Sequence, residues 1–461
     1  MSDSFFCNKL NLSIIIFMTA FILRIGLGAN IDVGFVPSDG INYHNIAVNL
    51  ASGNGYSNNI SAPYEPYFFR EPLYPIMMSS VYFVYGSFGG QLEYINDSDN
   101  HVVRKELFWI RVFQAILDSI TCLMLFALFS YGFGIKRAFI AVWFFSIYFP
   151  VAVIAVYPLR EVLQQFLMVG LTLSLFKYFN TRSWGYLVPI GMSLGALILT
   201  LQTHILVAPL IVLFLAYGNR RVLKTIRDSA IVLLLATAVL SPWLVKTYMF
   251  YPDARILKNA GLSFTWEQLS WQSALVSARN HGVISSDEMY SKLKEWYSLP
   301  EHDKFLFSYN GEFSRLSDSL NALTKEHTDS ESRGALAIRN VKKALKRGSN
   351  SLFRKYSLSK SSLGYNIKHR RIIPLLTYMI GVIIGVVGLV SLFARIRNHL
   401  VILFPVVFYG PLFYVLGSES RRMVVLHSYL FIFFVFAMID TIRSIKKSVI
   451  GKRTMSLGPN H

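Results

Sequence analysis

Charge is scarce in this chain: Asp, Glu, Lys and Arg make up 15% of 461 residues, where about a quarter is usual for a soluble domain. Acids are scarcer than bases, 26 against 45. The surplus cations are not gathered on one face or in a tail but punctuate the ends of apolar runs. That distribution reads as membrane topology signals and argues against a nucleic-acid partner. Cysteine is nearly absent. Cys7 and Cys122 both lie in or beside apolar segments, so there is no disulfide framework and no thiol or zinc spacing. Phosphate-binding and dinucleotide-binding glycine motifs, an HExxH pair and internal repeats are all missing, so chemistry driven by ATP or NAD is not expected. What the chain has in abundance is apolar surface, with 53% hydrophobic residues and a mean hydropathy of +0.43. These values describe a polytopic membrane protein.

Apolar runs long enough to cross about 30 Å of hydrocarbon fall near 10–29, 107–132, 138–157, 161–179, 184–203, 205–218, 228–250, 372–394, 400–417 and 422–441. The expected fold is an all-α polytopic membrane protein of about 10–12 transmembrane helices. The first run lacks a small-residue cleavage site and contains Arg24, so it reads as an uncleaved helix. With the N-terminus in the cytoplasm, Lys136 and Arg137, Lys177 and Arg182, Arg220 to Arg227, Arg395 and Arg397, and Arg443 to Arg453 all fall on the cytoplasmic side. The C-terminus is then cytoplasmic as well. The run 72–90 would invert every later cluster if it crossed, so it is expected to lie along the interface. The run 205–218 is short, and Pro209 is expected to break it. The chain divides into an N-terminal transmembrane module (1–250) with a large first loop (30–106), a trans-side region (251–371) with an amphipathic tract at 333–356, and C-terminal transmembrane helices with a short tail (372–461).

That topology brings Asp39, Tyr43, His44, Glu65, Arg70, Glu71, Arg160, Glu161, Lys246, Glu419, Arg421 and Arg422 to the trans rim. A carboxylate at the rim of a bilayer costs desolvation energy unless it has a task, which singles out Asp39. Cations are disfavoured in short trans connections, so Arg160 and the pair Arg421 and Arg422 break the rule that the other clusters obey. An anionic ligand would account for them, since guanidinium matches phosphate bidentately. The plainer account has them snorkel to headgroups or pair with Glu161 and Glu419. Arg70 can lock the loop by pairing with Glu65 or Glu71. Arg24 is expected to pair with Asp118 inside the bundle. Asp39, Tyr43, Ala47 and Leu50 share a helix face, so Tyr43 reads either as a ligand contact or as a member of the aromatic belt. Gly53 and Gly55 read as turn residues, and His204 as a packing or ligand histidine. A transporter would show charges at the midplane of several helices together with repeats, and a scaffold would not need Asp39 beside rim arginines.

The order of these segments resembles the GT-C membrane glycosyltransferases, in the branch of the protein O-mannosyltransferases and the lipid A aminoarabinose transferase. The resemblance rests on Asp39, Tyr43, Ala47, Leu50, Gly53, Gly55 and Tyr56, on R-x-P-L-Y-P at Arg70 to Pro75, and on Tyr157 to Leu175 with Glu161. It continues with Gly195 to Pro209, SPWLVKT at Ser241 to Thr247, and Arg421 with Arg422. It departs at Gly40, at Gln202 to His204 and in the proline missing after Arg421. The resemblance implies an inverting transfer of a sugar from a polyprenyl-phosphate donor to a lipid, glycan or protein acceptor, in a bacterial or archaeal plasma membrane. Asp39 would be the general base and Glu161 an orienting acid. Tyr43, Arg70, Tyr74, Arg160, His204, Lys246, Arg421 and Arg422 would bind substrate, with Tyr43 and Tyr74 stacking on a sugar. No cofactor is required, and a divalent cation between Asp39 and Glu161 is compatible. A polyprenyl-linked glycan polymerase or ligase is the alternative, kept open by the basic stretch Arg333 to Arg371.

Overall fold

The structure, a computed structural model, describes residues 8–30, 38–96, 104–250, 271–298, 312–327, 383–392, 401–409 and 424–456, apart from positions 69, 220, 273, 385, 402, 403 and 407. Every regular element among them is helical. The first, α1 (Lys9–Asn30), buries Leu12, Ile16, Ala20, Arg24 and Gly28. That stripe of every fourth residue turns one narrow face inward and leaves Leu10, Ile14, Met18 and Ile22 outside, as expected of a helix at the edge of a bundle. The first loop folds as α2 (Ser38–Ala51) and α3 (Leu73–Ser87), packed together by Tyr43, Ala47, Tyr74 and Met78. At 15 residues, about 22 Å, α3 is too short to cross a bilayer. It buries Tyr74, Met78 and Tyr82 and exposes Ile76, Phe83 and Val84.

The bundle is built on α4 (Lys105–Phe133) and α7 (Glu161–Thr181), each buried over more than half of its apolar window. Between them lies the first correction. The run 138–157 is not one span: α5 (Ile135–Ser146) stops, Tyr148 is extended, and a four-residue turn α6 (Phe149–Ala152) leads into a 3-10 turn at Val153–Val156. Pro150 at the start of α6 lacks the N–H that a continuous helix would need, and the Arg24 guanidinium takes the Ser146 carbonyl, with Nε 2.6 Å from Asp118 Oδ2. The expected Arg24–Asp118 pair is thus present, and it seals the broken helix end.

Beyond α7, α8 (Leu187–Thr200) packs tightly on α10 (Val222–Phe250), while α9 (Val207–Asn219) follows a 3-10 turn at Gln202–Leu206. Pro209 does not break this crossing. It is the third residue of α9, in the first turn, where a missing N–H removes no helical bond. Five helices among the described residues are long and apolar enough to cross a membrane: α1, α4, α7, the unit Gln202–Asn219 and α10. The stretch Trp184–Thr200 is a shorter apolar helix. In the region after α10, α11 (Ser286–Ser298) and α12 (Glu312–His327) are helical, and Trp271, Leu275, Met289 and Trp296 cluster. The last span expected, 422–441, lies in α13 (Val424–Ser456). Those at 372–394 and 400–417, the tract 333–356 and the basic stretch 333–371 fall wholly or partly outside the described residues.

Charges sort to two ends of the bundle. At one, Lys9 and Lys177 lie over the Tyr131 ring, Arg137 meets Asp440, Arg182 donates to Gly218 O, and Arg227 pairs with Asp228. At the other, Arg111 donates to Val156 O at 3.0 Å and to Gly28 O at 3.3 Å, and the first loop is seated over the helix ends.

Candidate active site

Asp39 sits in the first turn of α2, where a carboxylate also meets the positive end of the helix dipole. The chain then turns at Gly53 (φ +80) and Gly55 (φ +84), a backbone region in which glycine carries no side-chain penalty. It runs on to Phe68 and returns Arg70 to the start of α2. Arg70 Nη2 lies 2.9 Å from Asp39 Oδ1. Arg70 therefore pairs with Asp39 across the loop. The next residue, Glu71, takes Arg160 at 2.5 Å and accepts from the Gln202 backbone N–H at 3.3 Å. Arg160 also donates to Thr200 O at 3.3 Å. Arg160 thus makes a long-range ion pair with Glu71. Glu161 follows as the first residue of α7, buried beside Arg160.

Between the two ion pairs stands Tyr43. The Arg70 guanidinium is 5.7 Å and that of Arg160 6.0 Å from its ring centroid, and Tyr74 meets it edge-on at 5.1 Å. Tyr43 is 1% exposed, so it does not belong to an aromatic belt. Its hydroxyl has no hydrogen-bond partner among the described residues. Burial pushes this hydroxyl's pKa well above the ordinary tyrosine value, although Arg160 and Arg70 pull it down. Burial would lower the Arg160 pKa, but Glu71 and Tyr43 outweigh it and the guanidinium stays charged. Tyr74 is equally buried, and its hydroxyl donates to Gln114, whose amide donates to Ala155 O at 2.9 Å and Tyr157 O at 2.7 Å. Neither ring offers a free face for a sugar.

Lys246, near the end of α10, lies 6.0 Å over the Tyr56 ring and has no carboxylate partner among the described residues. His204 stands two residues beyond Gln202 in the same 3-10 turn. It is fully buried, bonded to Leu201 O and to the Tyr409 hydroxyl at 2.9 Å each and stacked on Phe408. Arg421 and Arg422 lie outside the described residues. The structure adds Arg111 and Gln114 to the residues that shape the site. Their signal was a polar stripe, Arg111, Gln114 and Asp118, running at helical spacing through an apolar segment. Among the described residues no three His, Cys, Asp or Glu side chains converge as metal ligands, and Asp39 and Glu71 are each bonded to an arginine.

Residues 94–245 match the family of dolichyl-phosphate-mannose-protein mannosyltransferases. Compared with curated proteins, the sequence matches none. Among solved structures, the oligosaccharyltransferase of Archaeoglobus fulgidus tethered with an acceptor peptide is similar, with a TM-score of 0.52 at 13% identity over 95% of this chain and 50% of that one. The same archaeal enzyme in complex with an inhibitory peptide and a dolichol-phosphate gives 0.52 at 13%, over 98% and 52%. This chain thus spans about half the length of that enzyme. ArnT from Cupriavidus metallidurans bound to undecaprenyl phosphate aligns at a TM-score of 0.39 and 12% identity, over 95% and 77%, too loosely to build on. The class is an all-α polytopic membrane protein with a long, folded first loop at one end of its bundle. Within that class, the fold is that of the GT-C membrane glycosyltransferase superfamily.

Proposed function

We propose that the protein is a membrane glycosyltransferase that moves a sugar from a polyprenyl-phosphate donor to a hydroxyl or amine acceptor on the trans side, with inversion at the anomeric carbon. The observation that carries this reading is the double ion pair at the mouth of the bundle, Asp39 with Arg70 and Glu71 with Arg160, built around Tyr43. Asp39 takes the acceptor proton as the acceptor attacks. Its bond to Arg70 orients the carboxylate. The leaving phosphate develops charge, and cations preorganised in a partly dehydrated cleft stabilise it. Lys246 serves that role directly because no carboxylate among the described residues pairs with it, and Arg160, Arg421 and Arg422 complete the positive field. Glu161, beside Arg160 at the start of α7, orients the acceptor or that arginine. No step is assigned to a metal ion.

The test is Asp39→Asn, assayed for transfer from a polyprenyl-phosphate sugar in membranes containing normal amounts of folded protein. A positioned base contributes about 10²–10⁴-fold, so activity should fall by that range. An unchanged glycan profile would sink the mechanism. Mass spectrometry of cell-surface glycans with and without the gene reports the sugar and the acceptor together.

A further inference from the structure

The end of α10 is jointed. Pro242 lies inside the helix and has no N–H for the Ala238 carbonyl one turn back; the Ser241 hydroxyl supplies the bond instead, at 2.9 Å. Helices bend at such positions because the ladder is interrupted there. The segment beyond the joint, Trp243 to Phe250, is the part of α10 that reaches the first loop. Trp243 meets Tyr56 edge-on at 4.9 Å and Phe68 at 5.3 Å, and Phe250 meets Phe68 at 5.5 Å. The Tyr56 hydroxyl donates to the carbonyl of Arg70 at 2.9 Å, and the Tyr56 carbonyl accepts from the Tyr67 N–H at 2.9 Å. Tyr56 and Tyr67 are buried in one apolar cluster against Trp243.

We infer that Trp243 and Tyr56 are positioning residues: the jointed tip of α10 latches the return strand of the loop, and the Tyr56 hydroxyl fixes the backbone that presents Arg70 to Asp39 and Glu71 to Arg160. Aromatic pairs of this kind stabilise beyond the area they bury. The bond to the Arg70 carbonyl spans 14 residues and, with the Tyr67 N–H to Tyr56 carbonyl bond, ties the end of the loop to the Tyr56 turn. Lys246 is one turn beyond Trp243 on the same tip, so a phosphate drawn to Lys246 and the loop that carries Arg70 are held by one movable element. The inference relies on the proposed function only in regarding Arg70 and Glu71 as parts of an active site.

The experiment measures backbone hydrogen exchange of the full chain in lipid nanodiscs, followed at residues 64–71 and, as a control, at 112–122 in α4. Trp243→Ala should speed exchange at 64–71 by at least tenfold and leave the α4 segment unchanged; Trp243→Phe should return 64–71 to within about threefold of the parent. Tyr56→Phe, which removes one oxygen, should speed exchange in the same segment. In sugar transfer, Trp243→Ala should lower kcat by at least tenfold at unchanged KM, with recovery in Trp243→Phe. Exchange at 64–71 that stays at the parent rate in Trp243→Ala overturns the latch. Acceleration that extends to α4 also overturns it, because Trp243 would then be a packing residue of the bundle. Exchange is read without turnover, so a loop freed by Trp243→Ala together with an active Asp39→Asn would retain the latch and discard the enzymatic reading.

Discussion

His44 lies on α2 beside the catalytic candidates but serves the loop's interior. Nδ1 meets the Tyr82 hydroxyl at 2.7 Å, Nε2 meets the Glu93 carbonyl at 2.8 Å, and no surface of the residue reaches solvent. Burial lowers its pKa from 6.5 to about 4, with a further push from Arg104 against the opposing pull of the Glu93 bond. The folded form therefore holds His44 neutral, while the unfolded chain binds its proton below about pH 6.5. The stability this group contributes is complete above pH 6.5 and is lost as pH falls toward 4. A shift of that size corresponds to a loss of about 3 kcal/mol across the window. Thermal melts in detergent at pH 7, 6, 5 and 4 should show a steeper decline for the parent than for His44→Gln, which carries no titrating ring. Equal slopes would show that His44 stays protonated in the fold. Arg24 makes the opposite use of burial. It remains charged inside the bundle because Asp118, the Ala20 carbonyl and the Ser146 carbonyl surround it, and a buried pair of this kind specifies geometry more than it adds stability.

Two elements meet closely where α8 crosses α10. A Cβ on Gly191 would come within 2.8 Å of the Val232 carbonyl and 2.7 Å of Leu235 Cβ; on Gly195, within 2.8 Å of the Ala236 carbonyl and of Val239 Cβ. Two glycines four residues apart let the backbones approach to a distance that no other residue allows. Backbone atoms cannot swing aside as a long side chain can, so Gly195→Val should push the helices apart at a cost of about 1–3 kcal/mol or more. The damage reaches the site, because the carbonyl of Thr200 at the end of α8 accepts from Arg160. The variant should yield less folded protein, with a lower melting temperature in detergent, and Gly195→Ala should show a smaller loss in the same direction. Parent-like melting of the valine variant would mean that the two helices are not packed this closely. The small-residue character of Gly195 to Pro209 was legible in the sequence, but its partner helix was not, since spacing along one chain segment does not say which neighbour it faces. The same limit hides the long-range ion pairs, since the fold brings Asp39 across 31 positions to Arg70 and Glu71 across 89 to Arg160.

At the scale of the molecule, the apolar runs before residue 251 were readable because hydrocarbon thickness sets one length for every crossing helix. Two features escaped that reasoning because they depend on the backbone: the break after Ser146, which composition hides among apolar residues, and the continuity of α9 through Pro209, which depends on the proline's place in the first turn. The sorting of charge follows from neither, yet it gives the molecule its direction. Lys9, Arg137, Lys177, Arg182 and Arg227 share one end, and Asp39, Arg70, Arg160 and Lys246 share the other. The cations of the first end sit in short connections and helix ends, where the positive-inside rule applies, whereas Arg70 and Arg160 at the second are balanced by acids of a long folded loop that such a rule does not govern. Orientation therefore predicts accessibility. With Cys7 and Cys122 replaced by alanine, a cysteine at Ser61, exposed in the first loop, should react with a membrane-impermeant maleimide in intact cells. A cysteine at Ser183, exposed beside Arg182, should react only after the membrane is opened. The reverse pattern would place Asp39 and its arginines in the cytoplasm and remove the trans-side acceptor from the proposed reaction, while leaving the fold and both ion pairs intact.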